Sequence, residues 1–564
     1  MPTGPNGPRS TRTAWNAWAP LPDEDDLDVT PGSDPDAGVH PPQALPEAAR
    51  RFLRREIGLP EGAVAAAPVP LSSVVLSPPR LPADVRARLS EVAEVADDDE
   101  TRVRHAGGKS YTDLVRRRAG DASSAPDAVV RPADAAGVAA VLRVCSEAEV
   151  AVVPFGGGTS VVGGVEPRTG RFAAVVTLDL GQLDQLLALD EESGLATFGP
   201  GIRGPVAERL LRERGWTLGH FPQSYEQASL GGYVATRSAG QASTGYGRSD
   251  EMVVGLRAAT PSGELVLGRA PRSAAGPDLR GLVVGSEGAF GVLTEVTLRV
   301  RRAPEQQRFE GWFFRSFAEG VEAVRRLRQA DAAADVCRLS DEDETRSGLA
   351  LSGRDRGLGP RYLRLRGRTC LAVLGFDGPA ELVAFRRWRA ARILRDAGGL
   401  SVGQGAGKAW AHGRFSAPYL RDDLLDAGVL VETLETATTW RDLPRVHAAV
   451  RNAVQEALGR RGATALVLCH VSHLYETGAS LYFTVLARQE PGATAAVRQW
   501  DEAKRAATDA LMAAGATLTH HHAVGTDHAP WIADEVGDLG VATLRAVKAC
   551  LDPVGILNPG KLVP

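Results

Sequence analysis

The chain has 564 residues, of which 43% are hydrophobic and 24% are charged, and its formal net charge is −4. This length allows two or more domains with sizeable cores, and the weakly acidic balance excludes the basic footprint of a nucleic-acid-binding protein. The five scattered cysteines and the lack of any apolar run near the ~20 residues that span a bilayer predict reduced thiols in a cytoplasmic protein.

Residues 1–50 are rich in proline, glycine and aspartate, and this composition predicts a largely disordered tail. Trp15 and Trp18 stand out in the tail, because two tryptophans in a polar segment usually dock on a folded surface; a fortuitous pair is the alternative.

We expect residues 51–124 to form an N-terminal helical segment. Apolar positions at helical spacing predict one helix over residues 48–57.

Residues 125–303 are expected to form a cofactor-binding domain. A short strand before Pro132 and a helix over residues 135–147 lead to an apolar strand and then to the glycine loop, residues 154–164, which reads P-F-G-G-G-T-S-V-V-G-G. Five glycines in eleven residues suit backbone that approaches a ligand or takes positive φ, and a row of N–H groups with two hydroxyls suits a pyrophosphate. A mobile surface loop is the alternative. The loop fits neither the Rossmann fingerprint nor a Walker loop.

Further glycine- and serine-bearing segments follow at residues 219–224, 229–240 and 285–291. The order and spacing of these segments resemble the FAD-binding domain of the vanillyl-alcohol oxidase superfamily, over residues 127–302. The resemblance implies FAD as the cofactor. Noncovalent binding is expected because residues 152–164 lack the histidine to which many covalent relatives attach the flavin. The implied FAD-contacting residues are Pro154, Phe155, Gly156, Gly157, Gly158, Thr159, Ser160, Gln223, Ser224, Ser229, Thr236, Arg237, Ser238, Ala239, Gly285, Ser286, Glu287, Gly288, Ala289, Phe290 and Gly291.

From residue 304 onward, helix-like and strand-like segments alternate, which predicts an α+β substrate (cap) domain over residues 304–515. Residues 516–564 are expected to return to the flavin domain, and they end in D-P-V-G-I-L-N-P-G-K, an ending shared widely in the superfamily. The predicted fold class is therefore α+β, with a two-part FAD-binding domain of the vanillyl-alcohol oxidase type, a cap domain and a C-terminal helical return.

Three consecutive histidines, His520, His521 and His522, are the most distinctive polar feature of the C-terminal part. Imidazole suits acid/base chemistry near neutral pH, and an incidental surface patch is the alternative. No metal site is expected, because consecutive residues on a strand face opposite sides and cannot all bind one tetrahedral ion.

Two arginines are candidates for binding an anion. Arg338 lies on a predicted strand in an apolar run, where an unpaired guanidinium is costly. Arg421 lies in A-P-Y-L-R-D, and a guanidinium fork suits phosphate or carboxylate. Ordinary ion pairs are the alternative for both, with Asp422 and Asp423 as local partners of Arg421.

The segments T-H-H-H-A-V-G at 519–525, A-S-L-Y-F at 479–483 and W-N-A-W at 15–18 resemble those of alkyldihydroxyacetonephosphate synthases. This resemblance implies exchange of the acyl chain of a lipid-phosphate substrate for a long-chain alcohol, without net redox change. Tyr482 would be the acid/base, working with the three histidines and Arg338, and Arg421 and His220 would bind substrate. The resemblance leaves open a homodimer and peripheral contact with a membrane.

Two other functions fit parts of the sequence. A 2-hydroxy-acid dehydrogenase or oxidase would share the FAD domain and the C-terminal ending, but the G-D-G-N motif of that branch is missing near Tyr482. A non-catalytic flavin sensor would have no use for a complete acid/base set. The synthase is therefore the main hypothesis, and the dehydrogenase is the alternative.

Overall fold

The structure is a computed structural model that describes residues 15–18, 45–351, 362–363 and 365–563. Most of the predicted tail lies outside these residues, and the first described helix begins at Glu47, inside the predicted tail. The helices before residue 304 are α1 (Glu47–Ile57), α2 (Ala83–Ser90), α3 (Asp99–Arg104), α4 (Tyr111–Arg118), α5 (Ala135–Glu147), α6 (Gly204–Arg212), α7 (Leu230–Ala235), α8 (Ser243–Tyr246), α9 (Ser249–Met252) and α10 (Arg280–Val283).

Two sheets make up the N-terminal part of the fold. The first has the order β1-β2-β4-β3, with β2, β4 and β3 parallel, and the second is antiparallel with the order β5-β6-β10-β8-β9. A two-stranded pair of β7 and β11 lies beside them. The strands are β1 (Glu94–Ala96), β2 (Ala128–Arg131), β3 (Ala151–Phe155), β4 (Val175–Asp179), β5 (Leu186–Asp190), β6 (Leu195–Phe198), β7 (Trp216–Thr217), β8 (Val253–Thr260), β9 (Gly263–Leu267), β10 (Val292–Arg299) and β11 (Arg301–Arg302).

The C-terminal part contains one seven-stranded antiparallel sheet with the order β15-β12-β14-β13-β17-β18-β16. Its strands are β12 (Gln306–Phe314), β13 (Val336–Ser340), β14 (Cys370–Gly378), β15 (Leu400–Gly403), β16 (Val429–Thr439), β17 (Ala465–Val471) and β18 (Gly478–Arg488). The helices of this part and the return are α11 (Phe317–Gln329), α12 (Glu342–Leu351), α13 (Ala380–Asp396), α14 (Gln404–Gly413), α15 (Ala417–Asp426), α16 (Leu443–Arg460), α17 (Ala493–Ala513) and α18 (Ile532–Leu551).

Predicted and observed elements agree best where local signals are strong. Helix α5 has the predicted bounds, and it begins where the Asp134 side chain accepts a hydrogen bond from the Gly137 N–H. The prediction missed β12, β15 and β16. Strand β16 reads V-L-V-E-T-L-E-T-A-T-T, and its buried Glu432 and Glu435 conceal the apolar pattern of a core strand. Helix α18 begins at Ile532 and is interrupted at Gly537, where φ is +73°, and the predicted start at 542 lies after this kink.

The main core fills the space between one face of the seven-stranded sheet and helices α11, α13, α16 and α17. The other face of this sheet looks toward the glycine loop, which follows β3. The C-terminal return adds to β3, because the Val152 N–H donates to the Ile556 carbonyl and the Asn558 N–H donates to the Val152 carbonyl. Among the helices described here, none is long and apolar enough to cross a bilayer.

Candidate active site

A cavity of about 690 Å³ lies between the glycine loop and the seven-stranded sheet. All of residues 154–160 line it, so strand β3 ends at its wall. This volume lies within the range of ligand pockets, roughly 300–1,000 Å³. The glycine loop and the cap therefore face a common site.

Glycine is required in the loop because other backbone comes very close. A Cβ atom on Gly157 would lie 2.4 Å from the Gln227 carbonyl oxygen and 2.6 Å from the Ala228 Cα, and Gly158 has a φ of +65°. Within the described chain, the backbone N–H groups of Gly158, Thr159 and Ser160 donate to no protein acceptor. Unpaired N–H groups at the end of a strand fit a pyrophosphate.

Most of the other predicted cofactor residues also line the cavity. They are Gln223, Ser224, Ser229, Thr236, Ser238, Ala239, Ser286, Glu287, Gly288 and Gly291. The buried Gln223 Oε1 has no hydrogen-bond partner among the described residues, so it can accept one from a ligand. These observations fit FAD, and noncovalent attachment stays a prediction.

Four predicted cofactor residues, Arg237, Gly285, Ala289 and Phe290, lie behind the cavity wall rather than on it. The Arg237 guanidinium donates to the Val284 carbonyl at 3.1 Å, and it thereby fixes the turn before residues 285–291. Ala289 and Phe290 are buried in a small apolar cluster with residues of the C-terminal return. Arg237, Ala289 and Phe290 therefore support the wall from behind, and Gly285 packs against Arg237, whose Nε would lie 2.6 Å from a Cβ at that position.

Tyr482 lies on β18 and faces the cavity between two sets of imidazole rings. On one side the His470 ring stacks on it, with centroids 4.9 Å apart. On the other side His521 stacks at 5.9 Å, and His522 makes an edge contact at 5.5 Å. Thr433, on the neighbouring strand β16, lines the same cavity. The structure thus brings Tyr482, His521 and His522 together, as the sequence predicted.

The histidine loop, residues 519–522, is held by one buried carboxylate. Glu435 lies opposite Tyr482 in the sheet register and is 3% exposed. It accepts hydrogen bonds from the backbone N–H groups of His520, His521 and His522 at 2.7, 3.1 and 2.9 Å. The Thr519 hydroxyl donates to the same carboxylate at 2.6 Å. Sequence reasoning missed Glu435, because nothing local links β16 to residues 519–522.

His520 lies outside the cavity lining and connects to other rings. Its Nε2 is 2.6 Å from the Tyr475 hydroxyl, and its Nδ1 is 2.9 Å from the His521 Nδ1. Nitrogen atoms of His473, His520 and His521 all lie within 4.8 Å of one another, so these residues could hold a metal ion. The strand-alternation argument against a metal was wrong, because the histidines lie in an irregular loop and not on a strand.

Arg338 lies on β13 at the cavity wall and belongs to a triad with Glu344 and the buried His470 that the sequence did not reveal. It donates to the His470 Nε2 at 3.1 Å and to the Glu344 Oε1 at 2.9 Å. The His470 Nδ1 is 2.9 Å from the same Glu344 oxygen. Since the Nε2 accepts from Arg338, the His470 proton must lie on Nδ1 and point at Glu344. The triad therefore fixes the tautomer of the ring that stacks on Tyr482.

Arg421 lines the cavity from α15, and its partners differ from those predicted. Its guanidinium donates to the Glu432 Oε1 at 2.7 Å and to the Lys109 carbonyl at 3.1 Å. Asp422 instead accepts from the Trp18 N–H at 2.9 Å. The neighbouring aspartates do not pair with Arg421 because consecutive helical residues point in different directions.

His220 is buried behind the cavity wall and does not line the cavity. Its Nε2 is 3.1 Å from the Ser238 Oγ, and its ring packs on Tyr233 with centroids 4.7 Å apart. This position supports Ser238 at the wall, and it gives His220 no contact with the open space where a substrate would bind.

Burial sets the protonation states around Tyr482 in opposite directions. It lowers the pKa of His521, and it lowers that of His522 to about 3, so both rings are neutral and can accept a proton near pH 7. Burial also raises the pKa of Tyr482, so its phenol keeps a proton to donate. Although burial opposes ionisation of Glu435, the hydrogen bonds that its carboxylate accepts from the Thr519 hydroxyl and from the backbone of the histidine loop hold its pKa well below its usual range. Neutral acceptors thus lie beside a protonated donor.

One arm of the cavity is lined by aliphatic side chains from two helices and three strands. We call it the apolar arm, and its residues are Leu349, Leu351, Leu420, Leu424, Val431, Leu468 and Leu486. Every second residue along β16, β17 and β18 points to the cavity face of the sheet. These residues are 431, 433 and 435 on β16, 468 and 470 on β17, and 482, 484 and 486 on β18. The sequence of each strand shows this alternation, but it does not show the order of the strands in the sheet.

Comparisons with known proteins agree with this geometry. Residues 126–268 match the family described as FAD binding domain, and residues 303–562 match the family described as FAD linked oxidases, C-terminal domain. The alkyldihydroxyacetonephosphate synthase of Dictyostelium discoideum is 33% identical over 84% of this chain and 79% of its own length. That of Trypanosoma brucei brucei is 32% identical over 91% and 87%.

A solved alkyldihydroxyacetonephosphate synthase structure superposes with a TM-score of 0.79, at 29% identity, and the match covers 91% of this chain and 92% of that one. The predicted fold class and the FAD cofactor are confirmed. The synthase-like flavoenzyme is confirmed over the dehydrogenase alternative. The chain belongs to the alkyldihydroxyacetonephosphate synthase family of FAD-dependent enzymes.

Proposed function

We propose that the chain exchanges the acyl chain of acyl-dihydroxyacetone phosphate for a long-chain alcohol, and so forms an ether bond. The placement of Tyr482 between His470 and the pair His521 and His522, in the cavity that the glycine loop also lines, carries this proposal. The exchange requires one group that accepts a proton from the substrate carbon and another that donates a proton to the departing oxygen.

Tyr482 and the two histidines divide this proton work. Neutral His521 or His522 accepts the carbon-bound proton, because the lowered pKa leaves a ring nitrogen of each unprotonated near pH 7. Tyr482 donates to the departing carboxylate oxygen, because its phenol is protonated near pH 7. The oxygen of the incoming alcohol then bonds to the substrate carbon in place of the departed carboxylate oxygen and gives its proton to Tyr482, and the histidine returns its proton to the carbon, so that both groups regain their starting protonation states. Bound FAD supplies a ring nitrogen that can bond reversibly to the substrate carbon.

Arg421 is the proposed ligand of the substrate phosphate. A guanidinium has five N–H donors, and the protein contacts named above use donors on two of its nitrogens. The N–H donors of Arg421 that these two contacts leave unused can bind a phosphate oxygen. Arg338 acts through His470 and Glu344, where it holds the neutral ring that stacks on Tyr482.

The apolar arm is the proposed site of the alkyl and acyl chains. Burying each CH₂ group of a chain contributes about 0.8 kcal/mol, so a lined arm can hold a long chain without polar contacts. The arm and the polar residues line one cavity, which supports a position of the chain end beside Tyr482 and the two histidines.

The test is exchange of the acyl chain of acyl-dihydroxyacetone phosphate for labelled hexadecanol by the yellow holoenzyme. Formation of labelled alkyl-dihydroxyacetone phosphate is the expected result. D-lactate and glycolate are expected not to reduce an acceptor dye. Saturable dye reduction without any label incorporation would contradict the proposal and favour the dehydrogenase.

Peripheral membrane contact is proposed through α13. This helix exposes Phe385 and Trp388, each 55% exposed, and the Arg392 guanidinium lies 5.2 Å from the centroid of the Trp388 ring. Aromatic side chains beside arginine suit the headgroup region of an anionic bilayer. A homodimer stays a prediction, which light scattering of the holoenzyme would test.

Sedimentation with phosphatidylserine-containing vesicles tests the membrane contact. The Phe385→Ser/Trp388→Ser double variant is expected to lose most vesicle binding and to keep its FAD. Val266, 63% exposed on β9, provides a matched apolar-to-polar control as Val266→Ser. Equal sedimentation of the double variant and the wild type would remove α13 from the membrane contact.

A further inference from the structure

The N-terminal segment of residues 15–18 is packed against the active site, although it is far from it in sequence. Trp18 is 5% exposed and lines the cavity, and Trp15 is 9% exposed in a separate apolar cluster with Val103, Ala106 and Ala122. The predicted docking of this pair is therefore observed. The two tryptophans differ in one respect, because only Trp18 reaches the ligand space.

Trp18 joins three separate parts of the chain. Its backbone N–H donates to the Asp422 Oδ2 at 2.9 Å, on α15. Its indole Nε1 donates to the Lys109 carbonyl at 3.2 Å, just before α4. Its own carbonyl accepts from the Gln227 side chain at 2.6 Å, beside the glycine loop. Hydrogen bonds from the Lys109 Nζ and the Arg118 Nε to the carbonyls of residues 17 and 16 hold the rest of the segment.

The backbone of Lys109 connects this segment to both functional sides of the cavity. Its carbonyl accepts from Trp18 and also from the Arg421 Nη1 at 3.1 Å. Its N–H donates to the Ser160 carbonyl at 2.7 Å, in the glycine loop. Among the described residues, the Arg421 guanidinium has two anchors, which are the Lys109 carbonyl and Glu432.

We infer that Trp18 is a positioning residue for Arg421, and that residues 15–18 form a strap that closes the seam between the glycine loop and α15. The indole ring and its N–H hold the Lys109 carbonyl in the direction that Arg421 needs. When the indole N–H is lost, the peptide of that carbonyl is still held by the Ser110 N–H, which donates to Asp113, but the carbonyl loses one of the donors that direct it, so the guanidinium fork of Arg421 can rotate away from an anion. This inference rests on the proposed role of Arg421 as the phosphate ligand.

Calorimetric titration of the FAD-loaded full-length enzyme with dihydroxyacetone phosphate tests the inference. Loss of one hydrogen bond costs about 1 kcal/mol, so Trp18→Phe is expected to raise the dissociation constant about 5-fold. FAD content and the thermal midpoint check that the variant is folded. Trp15→Phe is the matched control, since it makes the same substitution in the same segment away from the cavity, and it is expected to bind like the wild type.

A second variant and a double variant keep the test decisive. Gln227→Met loosens the Trp18 carbonyl without changing the indole, and it is expected to weaken binding in the same direction. Trp18→Phe added to Arg421→Lys is expected to cost less than it does alone, because the two residues act as one unit. Two outcomes would overturn the inference and leave the proposed phosphate site standing. One is full additivity of the effects of Trp18→Phe and Arg421→Lys on the dissociation constant. The other is wild-type binding by Trp18→Phe while Arg421→Lys binds weakly. Wild-type binding by Arg421→Lys would instead contradict the proposed phosphate site and the inference with it.

Discussion

The two walls of the cavity are built in different ways. The glycine loop presents backbone N–H groups from consecutive residues, and its shape depends on side chains being absent, as at Gly157. The opposite wall presents side chains from β13, β16, β17 and β18 and from the histidine loop. A cofactor site can therefore be made from one short stretch of chain, whereas the proton-transfer site requires several distant stretches to be brought together.

This difference predicts how each wall fails. A change of a loop glycine should remove the cofactor, because an added side chain would meet backbone at Gly157 and neighbouring side chains at Gly156 and Gly158. A change on the side-chain wall should remove chemistry and leave the cofactor in place. The predictions below test this division, beginning with the largest expected effect.

Gly157→Asp is expected to abolish FAD binding. The Cβ would lie 2.4 Å from the Gln227 carbonyl oxygen, and the carboxylate would add a negative charge beside the pyrophosphate site. Flavin absorbance of the purified protein is the measurement. Gly459→Asp is the control, because a Cβ at that helical glycine meets nothing within 4 Å. A yellow Gly157→Asp protein with normal FAD content would contradict the backbone-built wall.

Tyr482→Phe is expected to reduce acyl-for-alcohol exchange on the order of 10²–10⁴-fold, which is the usual contribution of general acid/base catalysis. The ring and its packing on His470 remain, so FAD content and thermal midpoint should stay at wild-type values. Combining Tyr482→Phe with His521→Ala should cost far less than the product of the single effects. A loss of activity that parallels a loss of flavin would instead make Tyr482 a packing residue.

Glu435→Gln is expected to lower the free energy of unfolding by about 1–3 kcal/mol, because the amide nitrogen faces backbone N–H donors and leaves buried groups unpaired. Exchange activity should fall with it, since the carboxylate positions His521 and His522. FAD content should not change. Glu535→Gln is the control, because this exposed carboxylate accepts similar bonds from Thr517 and Leu518 at the flank of the same loop. Equal denaturation midpoints for the two variants would contradict the role of burial.

The buried histidines should make the protein less stable in acid. The pKa of His522 is about 3 in the folded state and near 6.5 when unfolded, so below pH 6.5 the unfolded state binds more protons. This contribution to stability is complete above pH 6.5 and is lost at up to ~1.4 kcal/mol per pH unit as pH falls toward 3. Urea unfolding at pH 7.0 and 5.5 should show a smaller difference for His522→Gln. His412→Gln, at an exposed position, should behave like the wild type.

The sequence by itself determined the FAD domain and the glycine loop, and it singled out the residues that we propose as acid/base groups. Each of these is written within one short stretch of chain: glycines where backbone comes close, three adjacent histidines, and a tyrosine in a recognisable strand. The predicted helices in the C-terminal part also match closely, as in α11 and α16, because helical periodicity is a local property.

Only the tertiary structure decided which groups hold these residues in place. Glu435 binds the histidine loop across 85 residues, Trp18 reaches Asp422 across 404, and Arg421 pairs with Glu432 rather than with its neighbours. Such pairings depend on strand order and on edge contacts, which no local pattern encodes. Arg237 and His220 turned out to support the cavity wall from behind for the same reason. The sequence shows which residue types are present, whereas the packing of the backbone around each side chain sets the direction in which that side chain points.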